Sequence, residues 1–180
     1  MSNIGVIGLG AMGSGMAKSL RRAGHDVHVC DARPDAAADF ARDGGVACAT
    51  PAEVGRACRI VISVVVNAQQ TEAVLFGPEG AATGMAPGSV FVMCSTVDPN
   101  WSMAQEARLE AMQLHYLDAP ISGGAARAAS GEMTMMTAGK PAAYQRCGGL
   151  LDAMAAKVYK LGDTAGNGSK VKIINQLLAG

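Results

Sequence analysis

A doubly wound α/β fold, with a mainly parallel sheet and helices on both of its faces, is predicted for this 180-residue chain from three features. Short β-branched runs alternate with longer helical stretches as far as Asp118. The runs are apolar almost throughout, as strands covered on both faces require. A glycine-rich turn, Gly8–Gly13, joins the first run to the first helical stretch.

The expected strands are Ile4–Ile7, Val27–Cys30, Ile60–Val65, Val90–Cys94 and Tyr116–Asp118, with a weaker one near Val46. Helices are expected near 12–23, 34–43, 51–57, 69–76 and 99–112. Thr50-Pro51-Ala52-Glu53 has an N-cap, a first-turn proline and a capping-box glutamate. Asp98-Pro99 and the Asn67/Gln70 pair mark two further starts. Beyond Asp118 the rhythm changes. Pro120–Gly124 reads as a loop, a short helix follows through Ala129, and Glu132–Thr137 alternates as a strand does. Pro141–Ala155 reads as a helix, Lys157–Leu161 as a strand, and Ser169–Leu178 as an amphipathic helix.

Composition narrows the function classes. Fifteen basic residues balance 15 acidic ones, and no basic block stands out, which argues against general nucleic-acid or anionic-membrane binding. The longest apolar run, Ile60–Val66, is far too short to span a bilayer. Five cysteines without a CxxC pair point to reduced thiols and a cytoplasmic location.

The sharpest motif is Gly8-Leu9-Gly10-Ala11-Met12-Gly13, a GxGxxG between a strand and a helix. Its glycines allow a tight turn, a close approach by a pyrophosphate, and close packing of helix on strand. The helix start adds unpaired N–H groups and a positive dipole end. Asp31 ends the second strand, where a carboxylate accepts hydrogen bonds from both ribose hydroxyls and repels a 2′-phosphate. NAD is therefore expected over NADP, although Arg33 nearby could accommodate the extra phosphate.

Three further stretches lie where strand ends should gather. Val65 and Val66 could flank the cofactor, or simply lead into a capped helix. In Cys94-Ser95-Thr96 a hydroxyl could reach the nicotinamide amide, and helix-start chemistry explains the same residues equally well. Ser122-Gly123-Gly124 can present a hydroxyl and backbone N–H groups to a carboxylate, or act as a flexible turn. On the last helix Lys172 is followed by Asn175 and Gln176 at i+3 and i+4. A partly desolvated lysine there could act as an acid/base, whereas Lys170 beside it could be only a solvated charge. His25 and His28, which flank the second strand, read as surface or strand-edge residues, and His115 has no metal-spaced partners. The Met133–Met136 run reads as packing.

Taken together, IGVIGLGAMGSGMA at 4–17, CST at 94–96, LDAPISGG at 117–124 and GNGSKVKIINQ at 166–176 resemble the β-hydroxyacid dehydrogenases. That family includes relatives of 3-hydroxyisobutyrate dehydrogenase, tartronate semialdehyde reductase and 6-phosphogluconate dehydrogenase. The resemblance implies a Rossmann-type domain over 1–165 and the start of an interdomain helix over 166–180, with the family's all-helical second domain absent from this sequence. It implies that Gly8–Gly13, Asp31, Val65, Val66 and Thr96 hold NAD and that Ser122, Gly123 and Gly124 bind a substrate carboxylate. Lys172 would be the acid/base, assisted by Asn175 or Gln176. Many members carry Asn four positions after the lysine, where this chain has Gln176.

VVVNAQQ at 64–70, GEMTMMTAG at 131–139, KVYKLGD at 157–163 and KIINQLLAG at 172–180 resemble the branch that acts on L-threonate. The implied reaction is NAD-dependent oxidation of that sugar acid to its 2-oxo acid, in a homo-oligomer. Two alternatives stay open: a 3-hydroxyisobutyrate or tartronate semialdehyde enzyme, and a non-catalytic dinucleotide-binding module.

Overall fold

A computed structural model describes residues 3–179. Six strands form one parallel sheet: β1 (Asn3–Ile7), β2 (Asp26–Cys30), β3 (Val46–Ala47), β4 (Ile60–Ser63), β5 (Val90–Met93) and β6 (His115–Asp118). Their order is β3-β2-β1-β4-β5-β6, so the winding reverses between β1 and β4. In such a sheet the crevice at the reversal, beyond the strand C-termini, is where ligands enter. The first helices are α1 (Ala11–Arg22), α2 (Pro34–Arg42), α3 (Pro51–Ala57), α4 (Ala68–Phe76), α5 (Ala81–Gly84) and α6 (Pro99–Ala111).

Strand alternation sorts the core into two layers. Ile4, Val6, Ile60, Ile62, Val90 and Val92 pack on one face with Met16 and Leu20 of α1. Ile7, Val61, Phe91 and Met93 pack on the other with Leu75 and Leu109. Burying one such side chain contributes roughly 1.5–3 kcal/mol, so a one-residue slip of any central strand would be costly.

The second part of the chain adds β7 (Ile121–Ser122), α7 (Gly124–Ser130), β8 (Met133–Thr137), α8 (Pro141–Cys147), β9 (Ala155–Lys160) and α9 (Asn167–Ala179). Strand β8 pairs antiparallel with β7 and parallel with β9. Reciprocal backbone hydrogen bonds of 2.8 and 2.9 Å between Asp118 and Ala138 tie this small sheet to the edge of the large one.

Four expectations need correction. β4 ends at Ser63 rather than Val65, because the chain leaves the sheet once the Val64 N–H has bonded Ile7 O. Ile121–Ser122 is a short strand rather than loop, since it pairs with Thr134 and Met135. The helix expected over Pro141–Ala155 stops at Cys147, continues as a 3₁₀ turn over Gly148–Ala153, and gives way to β9. Gly148, at φ 50° and ψ −133°, cannot continue an α-helix. Finally, His28 lies inside β2, in register with Gly5 and Val46, and its buried Nδ1 has no hydrogen-bond partner among the described residues.

Candidate active site

The glycine turn leaves β1 with Gly8 at φ 95°, a conformation that favours glycine. Gly8 N–H donates to Cys30 O at 2.9 Å, which ties the turn to the exit of β2. A Cβ on Gly13 would collide with the Gly8 carbonyl oxygen, so α1 starts flush against the strand. Gly10 is different: nothing stands within 4 Å of where its Cβ would be. It is the N-cap of α1 and supplies no side-chain cap, so first-turn N–H groups remain available to an anion. Leu9 faces the core and offers only backbone, Met12 is half-buried, and Ala11 is exposed.

Asp31 stands at the exit of β2 and organises the turn. Its Oδ2 accepts the Leu9 N–H at 2.6 Å, and its Oδ1 accepts the Arg33 N–H at 2.8 Å. The Arg33 guanidinium lies beside it, with Nε 3.3 Å from Oδ1 and Nη2 3.4 Å from Leu9 O. Burial alone would raise the Asp31 carboxyl, but these hydrogen bonds outweigh it and hold the group below the ordinary aspartate value. Asp31 is ionised at neutral pH.

A cleft of about 620 Å³ opens here, lined by Gly8, Gly10, Asp31, Arg33, Val65 and Val66 among others. One wall is fixed from below. Ser95 Oγ donates to Val65 O at 2.7 Å and lies 3.0 Å from Thr71 Oγ1, which in turn donates to Asn67 O. Sequence reasoning offered Thr96, which is half-buried at the same sheet edge, and missed the buried Ser95 and Thr71 beneath the wall. Thr96, Ser122–Gly124 and Lys172 do not line this cleft.

Ser122 is half-buried at the end of β7, and Gly123 and Gly124 follow in positive-φ conformations that open α7. Lys172 is only 8 % exposed, whereas Lys170 lies on the exposed side of α9. Among the described residues Lys172 has no hydrogen-bond or ion-pair partner, and burial lowers its amine from the ordinary lysine value. The helix thus separates two lysines that the sequence leaves side by side. Asn175 and Gln176 are both exposed.

Asp118 was the other residue missed. Wholly buried at the exit of β6, it accepts hydrogen bonds from Gly166 N–H (2.8 Å), Ser169 N–H (2.9 Å) and Ser169 Oγ (2.8 Å) at the start of α9. Aspartate before Ala-Pro and serine three positions before Lys172 are visible in the sequence, but their pairing spans 51 positions. Cys94 is excluded as a nucleophile, because burial and then the Asp118 carboxylate push its thiol up to about 12. No three His, Cys, Asp or Glu side chains among the described residues are placed to hold a metal ion.

A parallel sheet reversing beside a glycine turn, with an ionised carboxylate at the exit of the next strand, defines a dinucleotide-binding α/β protein. Residues 3–162 match the model of the NAD binding domain of 6-phosphogluconate dehydrogenase, and the chain belongs to that family. It is 61% identical over 178 residues to L-threonate dehydrogenase of Cupriavidus necator, covering 99% of this chain and 60% of that protein. The chain thus spans about three fifths of the length of such relatives. The crystal structure of 3-hydroxyisobutyrate dehydrogenase from Salmonella typhimurium superposes with a TM-score of 0.95 at 43% identity, over 99% of this chain and 62% of that one. Psf3 in complex with NADP+ superposes with a TM-score of 0.92 at 27% identity, over 97% of this chain and 62% of that one.

Among the described residues, no helix is long and apolar enough to cross a membrane.

Proposed function

We propose that this chain is the cofactor-binding part of an NAD-dependent dehydrogenase that oxidises a small hydroxy acid, L-threonate, to its 2-oxo acid. The observation that carries the reading is Lys172: a largely buried lysine with no hydrogen-bond or ion-pair partner among the described residues, on a helix pinned to the sheet edge that bears the glycine turn. The 61% identity to an L-threonate dehydrogenase supports the substrate. The residues present fit a dinucleotide, since the open space at Gly10 admits a pyrophosphate that any Cβ would obstruct.

In this reading residues 1–165 form the cofactor unit and α9 carries the acid/base. Gly8, Gly10 and Gly13, with the backbone of Leu9, Ala11 and Met12, receive the pyrophosphate. Asp31 accepts the ribose hydroxyls, Val65 and Val66 flank the nucleoside, and Thr96 reaches the nicotinamide amide. Asp31 favours NAD, because its charge repels a 2′-phosphate. Ser122, Gly123 and Gly124 hold the substrate carboxylate. Lys172, whose lowered amine is more readily neutral, takes the hydroxyl proton as the C–H bond breaks. Asn175 or Gln176 orients the substrate oxygen. Bound NAD supplies the hydride acceptor. Loss of one proton and one hydride converts the alcohol carbon to a carbonyl, so the two-electron balance closes without a metal. A cytoplasmic location and a homo-oligomeric state belong to the same reading, the former supported by five free cysteines.

The test is NADH formation by the protein that carries this chain, with NAD and a panel of L-threonate, 3-hydroxyisobutyrate and glycerate. L-Threonate is expected to react fastest. Faster oxidation of either rival would overturn the substrate, and no NADH from any of them would overturn the dehydrogenase reading.

A further inference from the structure

The catalytic reading leaves unexplained why two buried carboxylates stand at the root of α9. Asp118 faces the helix start with three hydrogen bonds, two from backbone N–H groups and one from the Ser169 hydroxyl. Glu106 reaches the same junction from α6, where its Oε2 accepts the Ala165 N–H at 3.4 Å and its buried Oε1 has no hydrogen-bond partner among the described residues. Gly168 lets the first turn lie flat on the sheet: a Cβ there would stand 2.5 Å from Met136 O and 3.1 Å from Asp118 Oδ2. Ser169 is wholly buried, and Lys172 follows three positions later, on the same side of the helix.

We infer that Asp118 and Ser169 are positioning residues for Lys172: the carboxylate clamps the first turn of α9 and thereby fixes the rotation and depth at which the lysine is held. The inference rests on the assignment of Lys172 as the acid/base for its catalytic meaning, but the clamp itself can be tested without turnover.

The physical argument is one of register. A helix start leaves several N–H groups without intrahelical partners, and a buried start must satisfy them. Here an ionisable side chain from a different element does so, so the helix is joined to β6 at one defined rotation. Turning α9 by one residue, about 100°, would bring Val171 or Ile173 to the buried side in place of Lys172. The Ser169 hydroxyl adds a second contact that only the observed rotation satisfies. Among the described residues the far end makes no such side-chain hydrogen bond, and Ile174, Leu177 and Leu178 are exposed there. The clamp lies one turn before Lys172.

The test uses the 180-residue chain and its Asp118→Asn, Ser169→Ala and Ser169→Thr variants. Two properties are read: amide hydrogen exchange along α9, and the titration of Lys172 Nζ followed by NMR. An Asn amide cannot accept from all three donors, so Asp118→Asn is expected to speed exchange over residues 167–172 at least tenfold while exchange in β1 and α1 is unchanged. The Lys172 titration is expected to move upward as the loosened helix lets the amine into water. Simple removal of a nearby negative charge would move it downward, so the sign separates positioning from a field effect. Ser169→Ala is expected to do the same more weakly, and Ser169→Thr to restore the parent behaviour. If Asp118→Asn unfolds the chain, the two Ser169 variants decide. Unchanged exchange in α9, or a Lys172 titration that stays or falls, would overturn the inference. Full turnover by a Lys172→Ala protein would instead overturn only the catalytic assignment, leaving the clamp as measured.

Discussion

Lys172 and Lys170 show what a single side chain owes to its position. They are two positions apart and chemically identical, yet one is buried and the other solvated. Removing a general acid/base typically lowers a rate by ~10²–10⁴. In the protein that carries this chain, Lys172→Ala is expected to lower kcat by about that factor and leave NAD affinity nearly intact. Lys170→Ala should do little, and steady-state kinetics with a parallel cofactor titration would show a reversed order at once. Asp31 has a different task. A hydrogen bond to a charged group is worth about 1.5–3 kcal/mol, so Asp31→Ala should weaken NAD binding roughly tenfold to a hundredfold. NADP binding should change much less, because a 2′-phosphate gains nothing from the carboxylate. Equal losses for both cofactors would show that Asp31 supports the glycine turn through Leu9 rather than reading the ribose.

Elements with a complete local signal could be read from the sequence. The Thr50, Asn67 and Asp98 caps stand where expected, each accepting a backbone N–H from the following turn. Strand β4 and helix α8 are shorter than their apolar pattern suggests, because hydropathy does not record where a ladder partner ends or where Gly148 leaves helical geometry. The α5 turn, four residues without a side-chain cap, carried no local mark at all. Glu106 on α6 gives a prediction of sign. Burial, partly offset by the Ala165 N–H, raises its carboxyl above the ordinary glutamate value. An acid with a raised folded pKa favours folding fully below its unfolded value, and that contribution is lost as pH rises through the raised one. Glu106→Gln should therefore flatten the fall in stability between acid and neutral pH and raise the neutral melting temperature by a few degrees. Calorimetric melts across that range would contradict this if the variant were the less stable form at neutral pH. Helix α9 supplies another expectation, because Ile174, Leu177 and Leu178 are 55%, 77% and 83% exposed. An apolar stripe of this kind favours association. Light scattering of the isolated chain is expected to show concentration-dependent self-association that Leu177→Glu with Leu178→Glu abolishes, and a parent chain that stays monomeric would contradict it.

The parallel order β3-β2-β1-β4-β5-β6 brings the exits of β1, β2, β4, β5 and β6 to one edge, and with them the glycine turn, Asp31, Val65, Val66 and Thr96. This much was foreseeable, since a GxGxxG between strand and helix and an acid at the next strand exit are local in sequence. The supporting groups were not. Ser95 beneath Val65 and Asp118 beneath Ser169 act across 30 and 51 positions, and no periodicity or spacing reports such pairs. The reading as a whole depends on the glycine turn and Asp31 forming a working dinucleotide site. Calorimetric titration of the 180-residue chain with NAD, and in parallel with NADP, tests this most directly. One saturable NAD site per chain, with weaker binding of NADP, is the predicted result; no saturable binding of either cofactor, or tighter binding of NADP, would contradict it.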